Sequence, residues 1–268
     1  LLEGNHRKRV IWMIYGKLPV VFLSTIATEK KDSTNSQIAT YILEHIDQMQ
    51  DVSIRELAQD CHVAMSSISR FCKEIGLKDF AELKELLADP DFYFEEQSQS
   101  SSMQKRIDDY GQKVCESIQM VQSTLHQQQL IHLCQDLYHY QKVGIFGLLK
   151  AQTAAMNLQT DLLMLGKQVD SYVSYFQQME HILSADENDL IIVFSYTGSY
   201  FDYEDLRALQ KKLEAPKIWM ITSAQQEYPY FVDEVLTFQS LQDQGSHPYQ
   251  LQFIASLIAQ EYFRRYKS

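Results

Sequence analysis

The segment from Ser53 to Phe80 constrains the fold of this chain more than any other. Ser53, followed three residues later by Glu56, is typical of a helix N-terminus at which each side chain bonds the other residue's backbone N–H. The residues Cys61-His62-Val63 leave room only for a tight turn, and apolar residues then recur at helical spacing until Gly76. The segment therefore predicts two short helices joined by a tight turn, which is a helix-turn-helix.

The second helix of this motif has one face available for contacts with a partner. Its apolar residues should face the core: Ile68, Phe71, Cys72 and Ile75. The other positions carry short hydroxyls and two cations, which are side chains that reach phosphates and base edges in the DNA major groove. We therefore predict that this helix binds double-stranded operator DNA through Ser66, Ser67, Ser69, Arg70 and Lys73.

Three runs of residues in this part of the chain resemble the DNA-binding domain of RpiR-type, sugar-phosphate-responsive bacterial transcriptional regulators. They are Ser-Ile-x-Glu-Leu-Ala from Ser53, Ser-Ile-Ser-Arg-Phe-Cys-Lys-x-Ile-Gly from Ser67, and Phe80-x-x-Leu83-Lys84. Two positions depart from the family pattern. His62 stands where the family usually has the turn glycine, and Ala64 stands where a serine usually caps the recognition helix, a loss that costs about 1 kcal/mol.

Composition and charge limit the class of protein. A length of 268 residues allows two domains, and 45% hydrophobic with 22% charged residues argues against a disordered chain or a membrane protein. Four cysteines without a Cys-x-x-Cys pair predict a reducing, cytoplasmic location.

The net charge of the chain is −11 and is distributed unevenly. Residues up to Pro90 contribute −2 (11 Lys and Arg against 13 Asp and Glu), and the remainder contributes −9 (13 against 22). Attraction to DNA must therefore come from local clusters of cations.

The apolar segment Val10–Ala27 raises the alternative of a membrane anchor or signal peptide. Gly16-Lys17 and Pro19 divide it into runs of fewer than ten apolar residues, whereas a span needs about 20. We predict no membrane partner and assign the segment to the first helices of the DNA-binding domain or its dimer contact. Thr34 and Gln37 predict a second capping box at the start of another helix. The apolar stripe of that helix is formed by Ile38, Ile42, Ile46 and Met49. The last helix of the domain is predicted from the apolar residues Phe80, Leu83, Leu86 and Leu87.

The composition changes abruptly at Ala88–Gln104, which is rich in Pro, Asp, Gln and Ser and is typical of a linker. We predict a helix-turn-helix domain at residues 1–88, a linker at 89–104 and a second domain at 105–268. The second domain opens with a helical pattern over Lys105–Tyr138, where four potential metal ligands occur. Only two of them share a helical face, seven residues apart, so we expect a polar surface and no metal or cofactor: His126, His132, Cys134 and His139.

The remaining chain alternates apolar runs of strand length with helical patterns. The predicted strands are Val143–Leu148, Gln168–Val173, Leu190–Ser195, Ile218–Thr222 and Val235–Phe238. The predicted helices are Gln152–Leu165, Phe176–Leu183, Phe201–Leu213 and Tyr249–Tyr266. Because the strands are apolar and separated by helices, we expect an α/β, doubly wound parallel sheet covered on both faces, with ligands binding at the carboxyl ends of the strands.

The loop from Ser195 to Ser199 follows one of these strands and carries hydroxyls together with a glycine. Such a loop at a helix N-terminus predicts a phosphate-binding cradle built from Ser195, Thr197, Gly198 and Ser199. It resembles the Ser-x-Ser-Gly-x-Ser/Thr loop of SIS (sugar isomerase) domains, with Thr197 in place of the middle serine. SIS domains follow this helix-turn-helix in RpiR-type regulators, so the two resemblances cover nearly the whole chain and imply a phosphorylated sugar as ligand.

The loop after the first strand departs from the same family. Where SIS domains typically have Gly-x-Gly-x-Ser, this chain has Gly147-Leu148-Leu149-Lys150-Ala151. Leu149 brings a Cβ to a position where a backbone N–H would approach phosphate, while Lys150 could supply a cation in its place.

The sequence thus predicts a non-enzymatic transcriptional regulator of sugar or amino-sugar metabolism, with an all-α helix-turn-helix domain and an SIS-like α/β domain. Two alternatives remain: a ligand-blind regulator that uses the second domain only to dimerise, and a sugar-phosphate isomerase with a base among Glu180, His181 and His247. We expect a homodimer or homotetramer. The final helix suggests this because of its wide apolar face, formed by Leu251, Ile254, Ala255, Leu257, Ile258 and Phe263.

Overall fold

A computed structural model of the chain describes residues 18–88, 98–201, 210–243 and 245–268. The described residues divide into two compact units. The first contains the helices between Leu18 and Leu86, together with Val173–Met179 and Phe201. The second contains the other described residues from Ser98 onward. None of the helices in the described ranges combines the length and apolar character that a membrane span requires.

The first unit is all-helical. Its elements are α1 (Leu18–Thr28), α2 (Thr34–Glu44), a 3-10 turn (Ile46–Gln48), α3 (Ile54–Asp60), α4 (Met65–Glu74) and α5 (Phe80–Leu86). The predicted apolar stripe is inside: Ile38, Ile42 and Met49 are fully buried, and Ile46 packs against the same core. The predicted helix-turn-helix is α3, the turn after it, and α4. Residues 1–17, which include the start of the predicted apolar segment and its charged flank, lie outside the described residues.

The helix N-termini of this unit confirm one predicted cap and correct another. The α3 capping box is present, since Ser53 Oγ accepts the Glu56 N–H at 3.2 Å and Glu56 Oε2 accepts the Ser53 N–H at 2.8 Å. The capping box predicted at Thr34 and Gln37 is wrong, because Thr34 is already helical. The cap of α2 is Ser33, whose Oγ accepts the Ser36 N–H at 3.1 Å.

The second part of the chain is α/β. Its elements are α6 (Met103–Thr124), α7 (Gln127–His139), β1 (Lys142–Gly147), α8 (Lys150–Met164), α9 (Tyr175–Ser184), β2 (Asp189–Phe194), α10 (Gln210–Leu213), β3 (Lys217–Thr222), β4 (Glu234–Thr237) and α11 (His247–Tyr266). Residues 89–97 of the predicted linker and residues 202–209 of the helix predicted at Phe201–Leu213 lie outside the described residues.

The four strands form one parallel sheet in the order β1-β2-β3-β4. The strand predicted at Gln168–Val173 is not formed: a single parallel bridge joins Asp170 to Gly144 of β1. Asp170 alone exchanges both backbone hydrogen bonds with β1, donating to Val143 O and accepting from the Ile145 N–H, each at 2.8 Å. That segment still lies beside β1, on the edge opposite β2. From β1 the chain therefore first continues to one side of the sheet and then, with β2, to the other side, so the topological switch point of this doubly wound fold lies between β1 and β2.

Both faces of the sheet are covered. On one face, alternate strand residues such as Ile145, Ile192 and Trp219 are fully buried in a core that includes α8 and α11 residues. On the other face, Phe146 is fully buried and its ring lies 5.3 Å from that of His181 on α9. The near-continuous apolar strands are therefore explained by burial on both sides.

The core also accounts for most of the apolar face predicted on the final helix. Four of the six residues proposed for dimer contact are buried within the same chain: Leu251, Ile254, Ala255 and Ile258. Leu257 is half-buried, and Phe263 is 45% exposed. The prediction that these four residues form a dimer contact is therefore wrong, because they pack in the core of their own chain.

Candidate functional sites

The predicted DNA-contact residues share the solvent face of α4. Ile68, Phe71 and Cys72 are fully buried on its other side. Ser66, Arg70 and Lys73 are exposed, while Ser67 and Ser69 are half-buried. The structure therefore brings the predicted set together on one helix surface.

Glu74, which the sequence did not single out, organises the C-terminal end of this surface. Arg70 Nε lies 3.6 Å from Glu74 Oε1, and the Arg70 side chain is 64% exposed. Asn35 Nδ2 donates to Glu74 Oε2 at 2.7 Å and to Glu29 Oε1 at 2.9 Å. The carboxylate beside Arg70 is thus itself held by α2, a tertiary relationship that spacing along one helix does not reveal.

The turn before α4 keeps the backbone geometry of a glycine. His62 has φ +54, in the left-handed region that L-residues rarely adopt. Ala64 occupies the N-cap of α4 in an extended conformation, and its methyl group cannot accept a helix N–H. The two departures from the family pattern therefore fall on a left-handed turn position and a missing cap.

The loops after β1 and β2 are neighbours, since Gly147 at the end of β1 is in register with Phe194 at the end of β2. They therefore flank the switch point, where doubly wound folds bind ligands. Residues 202–209 of the helix predicted at Phe201–Leu213, which include its N-terminal turns, lie outside the described residues. Of the predicted cradle, only the loop belongs to the described part of the chain.

The β2 loop is a tight turn with two adjoining hydroxyls. Gly198 has φ +72, and its N–H donates to Ser195 O at 3.0 Å. Thr197 is exposed and Ser199 is buried, and their hydroxyl oxygens lie 2.6 Å apart as a hydrogen-bonded pair. An anion on this loop would therefore have to share or replace that hydrogen bond.

The β1 loop has a glycine-like backbone with a leucine in it. Leu149 has φ +61 and ψ −126 and caps α8, which begins at Lys150. Gln152, a buried residue not singled out from the sequence, accepts the Gly147 N–H at 3.1 Å and donates to Ser171 Oγ at 3.0 Å. A side chain of the protein thus occupies the buried backbone N–H at the end of β1.

Tyr196 and His247 form a further part of this region. Their ring centroids lie 4.5 Å apart, and the Tyr196 carbonyl accepts the Ser223 hydroxyl at 2.9 Å. Burial lowers the pKa of His247, and the positive charge of Lys150 lowers it further. The hydroxyl of Tyr196 bonds to Ser240. These partners come from chain segments far apart in sequence, which is why periodicity and motif spacing did not indicate them.

The residues proposed as bases for the isomerase alternative do not converge. His247 packs on Tyr196, whereas His181 packs against Phe146 and Glu180 is exposed. Across the described ranges, no cluster of three or more His, Cys, Asp or Glu is arranged to hold a metal ion. His132 instead lies between two carboxylates, 3.8 Å from Asp136 and 3.6 Å from Glu234.

Comparison with known proteins agrees with this architecture. Residues 22–91 match the family described as "Helix-turn-helix domain, rpiR family". An uncharacterized HTH-type transcriptional regulator of Caldanaerobacter subterraneus is 24% identical over 190 residues, which span 68% of this chain and 66% of that protein. Another from Providencia stuartii is 22% identical over 218 residues, or 76% of this chain and 77% of that protein.

Two solved structures share the fold. The Vibrio vulnificus NanR protein complexed with ManNAc-6P is 18% identical, covers 93% of this chain and 92% of its own, and has a TM-score of 0.52. A protein of E. coli CFT073 is 13% identical, covers 62% of this chain and 93% of its own, and also has a TM-score of 0.52. The predicted two-part fold is confirmed. This chain carries a helix-turn-helix domain of the rpiR family at residues 22–91, followed by a doubly wound α/β domain.

Proposed function

We propose that this chain is a transcriptional regulator of sugar or amino-sugar metabolism that binds operator DNA through α4. The observation that carries the proposal is the common solvent face of Ser66, Ser67, Ser69, Arg70 and Lys73 on the second helix of an rpiR-family helix-turn-helix. Relatives of similar sequence are HTH-type transcriptional regulators by name, which supports the same assignment.

Arg70 suits this role although it contacts Glu74. An exposed ion pair contributes only about 0–1 kcal/mol, so a phosphate or a guanine edge can replace the carboxylate at little cost. The contact with Glu74 involves Nε, and a guanidinium has five N–H donors in total. We therefore assign Arg70 and Lys73 to phosphate or guanine contacts and the three serines to contacts nearer the base edges.

For the second domain we propose a phosphorylated sugar as effector, bound where the loops after β1 and β2 meet. Thr197 and Ser199 would donate hydroxyl hydrogen bonds to the phosphate, Lys150 would supply a cation, and Ser195 and Gly198 would shape the turn. The structure of NanR with ManNAc-6P supports this proposal, because that protein shares the fold over most of both chains.

We propose that effector binding changes DNA affinity through a homodimer or homotetramer in the cytoplasm. Two recognition helices must match half-sites roughly 34 Å apart or a multiple of that distance. An effector that favours one arrangement of the sensor domains would change this spacing and hence the affinity for DNA.

A ligand-blind regulator is the second candidate, and the β1 loop favours it. Leu149 places a side chain in the loop, and Gln152 already accepts the Gly147 N–H. The leucine side chain would hinder the approach of a phosphate to the loop backbone, and the glutamine occupies one N–H donor beside it. We propose no isomerase activity, since Glu180, His181 and His247 are dispersed.

The DNA assignment is tested by selecting sequences from a random duplex library with the full chain and measuring affinity by fluorescence anisotropy at several salt concentrations. Arg70→Ala should weaken binding by about 1–3 kcal/mol with relaxed specificity if it reads a base. If it contacts phosphate, all sequences should weaken alike and the slope of log K against log salt should flatten by about 1. Lys212→Ala removes an exposed cation from α10 of the second domain and is the matched control. Wild-type affinity in both Arg70→Ala and Lys73→Ala would contradict the proposal.

The effector assignment is tested by calorimetry of the full chain with a panel of sugar and amino-sugar phosphates. Binding that is lost in both Thr197→Ala and Lys150→Ala would support the loop site. If no phosphorylated sugar binds the unmodified chain, the ligand-blind candidate stands and the DNA assignment is unaffected.

A further inference from the structure

A second groove opens at the carboxyl end of the sheet, beside the loop site but on the β3–β4 side. It has a volume of about 310 Å³ and lies between the end of α6, the segment after β3 and the end of β4. The groove lies at the carboxyl end of the strands, the end at which doubly wound folds bind ligands, but beside β3 and β4 and not at the switch point between β1 and β2. The volume is at the small end of the range for ligand pockets, which suits a single sugar ring.

The side chains of the groove set its chemistry. Among the residues described, none that lines it is Asp, Glu, Lys or Arg. Its polar groups are three amides, three hydroxyls and one imidazole, from Gln225, Gln226, Gln239, Thr124, Thr237, Tyr228 and His126. Amide side chains both donate and accept hydrogen bonds, whereas an ionic ligand would find no opposite charge to offset its desolvation.

Two aromatic residues complete the groove. Phe238, which directly follows β4, is buried, and Tyr228 is half-buried with its hydroxyl bonded to Ala224 O. The Gln239 N–H donates to Thr124 Oγ1 at 3.0 Å, which ties the end of β4 to the end of α6. An apolar ring surface beside amide and hydroxyl groups is the usual composition of a small-molecule site.

From these features we propose that the groove binds an uncharged sugar, at a site separate from the phosphate-binding loop. The two sites adjoin, since Gln226 Nε2 donates to Gly198 O at 3.4 Å and both Ala224 and Tyr228 of the groove also lie beside Gly198. A Cβ built on Gly198 would lie 2.8 Å from the same Gln226 nitrogen, so the groove wall and the loop are packed closely. A ligand that moves Gln226 would therefore act directly on the turn at Gly198.

The test compares N-acetylglucosamine with its 6-phosphate by calorimetry on the full chain. The neutral sugar should bind with a dissociation constant on the order of 1 mM, as expected for a ligand of this size. Gln226→Ala, which removes an amide, and Gln239→Trp, which fills the groove, should each weaken it at least tenfold. Gln135→Trp, at an exposed glutamine on α7, is the matched control and should leave binding unchanged.

The same titrations separate this proposal from the loop site. Lys150→Ala should leave the neutral sugar's affinity unchanged even if it abolishes binding of the phosphorylated one. The proposal is overturned if the neutral sugar does not bind at 50-fold above the expected constant, about 50 mM, or if Lys150→Ala abolishes its binding while Gln239→Trp does not. If Gln239→Trp fails to fold, the test uses His126→Ala instead, since His126 is an exposed residue that lines the groove. Its affinity for the neutral sugar should fall by the same factor of at least ten.

Discussion

Thr197 and Ser199 form a hydrogen-bonded hydroxyl pair, with their oxygens 2.6 Å apart, in the turn that follows β2. One member is exposed and the other is buried, so the pair links the surface of the loop to its interior. A phosphate oxygen placed near Thr197 would compete for a proton that Ser199 now shares. If the loop binds a phosphate as proposed, its affinity therefore depends on both residues together.

Thr197→Val should weaken binding of a sugar phosphate tenfold or more, because hydrogen bonds to charged groups contribute about 1.5–3 kcal/mol each. Valine keeps the shape of threonine, so the loss would report the hydroxyl, and Thr197→Ser should restore most of the affinity. Calorimetry on the full chain measures both. Thr160→Val, at an exposed threonine on α8, is the control. Equal affinity in Thr197→Val and the wild type would show that the hydroxyl pair does not bind phosphate.

Leu149→Gly should stabilise the protein. A non-glycine residue with φ +61 and ψ −126 costs on the order of 1–3 kcal/mol, and Leu149 is 45% exposed, so little packing is lost with its side chain. Glycine also increases the conformational entropy of the unfolded chain, which offsets part of the relieved strain. We therefore expect a net gain of about 1 kcal/mol in the free energy of unfolding.

Leu149→Ala is the matched variant, since it removes the side chain but keeps the Cβ. It should show no such gain in chemical denaturation. If alanine stabilises as much as glycine, the strain lies in the side chain and not in the backbone.

Ala64→Ser should raise the free energy of unfolding by about 1 kcal/mol. Ala64 already has the extended backbone of an N-cap, with φ −77 and ψ 148, so a serine hydroxyl can accept a free N–H of the first turn of α4. Chemical denaturation of the full chain measures the change. Ala81→Ser places the same residue at an exposed position in the first turn of α5, where Asp79 is already the N-cap, so no gain is expected. No gain for Ala64→Ser would mean that α4 begins elsewhere.

His247 should make the stability of the protein fall in mild acid. Burial and the charge of Lys150 lower its pKa in the folded state below the ordinary value of 6.5. As the pH falls below 6.5, the unfolded chain binds the proton first, so folding becomes less favourable until the folded pKa is reached. The wild type should therefore lose more stability between about pH 7.5 and about pH 5.5 than His247→Gln does. Denaturation curves with the same pH dependence for both proteins would contradict this assignment.

The sequence predicted β1 to β4 closely because strands buried on both faces read as continuous apolar runs. It failed at Gln168–Val173, where one residue pairs with β1 and the neighbouring residues do not. It could not identify Glu74, Gln152 or Tyr196, whose partners come from distant segments. Departures from the family pattern at His62 and Leu149 did mark special positions, since both retain the positive φ that a glycine would adopt freely. The backbone there follows the surrounding helices and strands, and the residue tolerates the strain.

The cysteines differ in a way that has a practical use. Cys61, Cys72 and Cys134 are buried, and burial raises the pKa of their thiols to about 11, about 12 and about 12, so they are poor nucleophiles at neutral pH. Cys115 is exposed on α6. Maleimide dyes or nitroxide spin labels should therefore attach at this one residue of the native chain without engineering. In any assembly of identical copies, each copy would carry one label at a known place on α6, and label-to-label distances would report whether a sugar phosphate or DNA changes the arrangement of the copies.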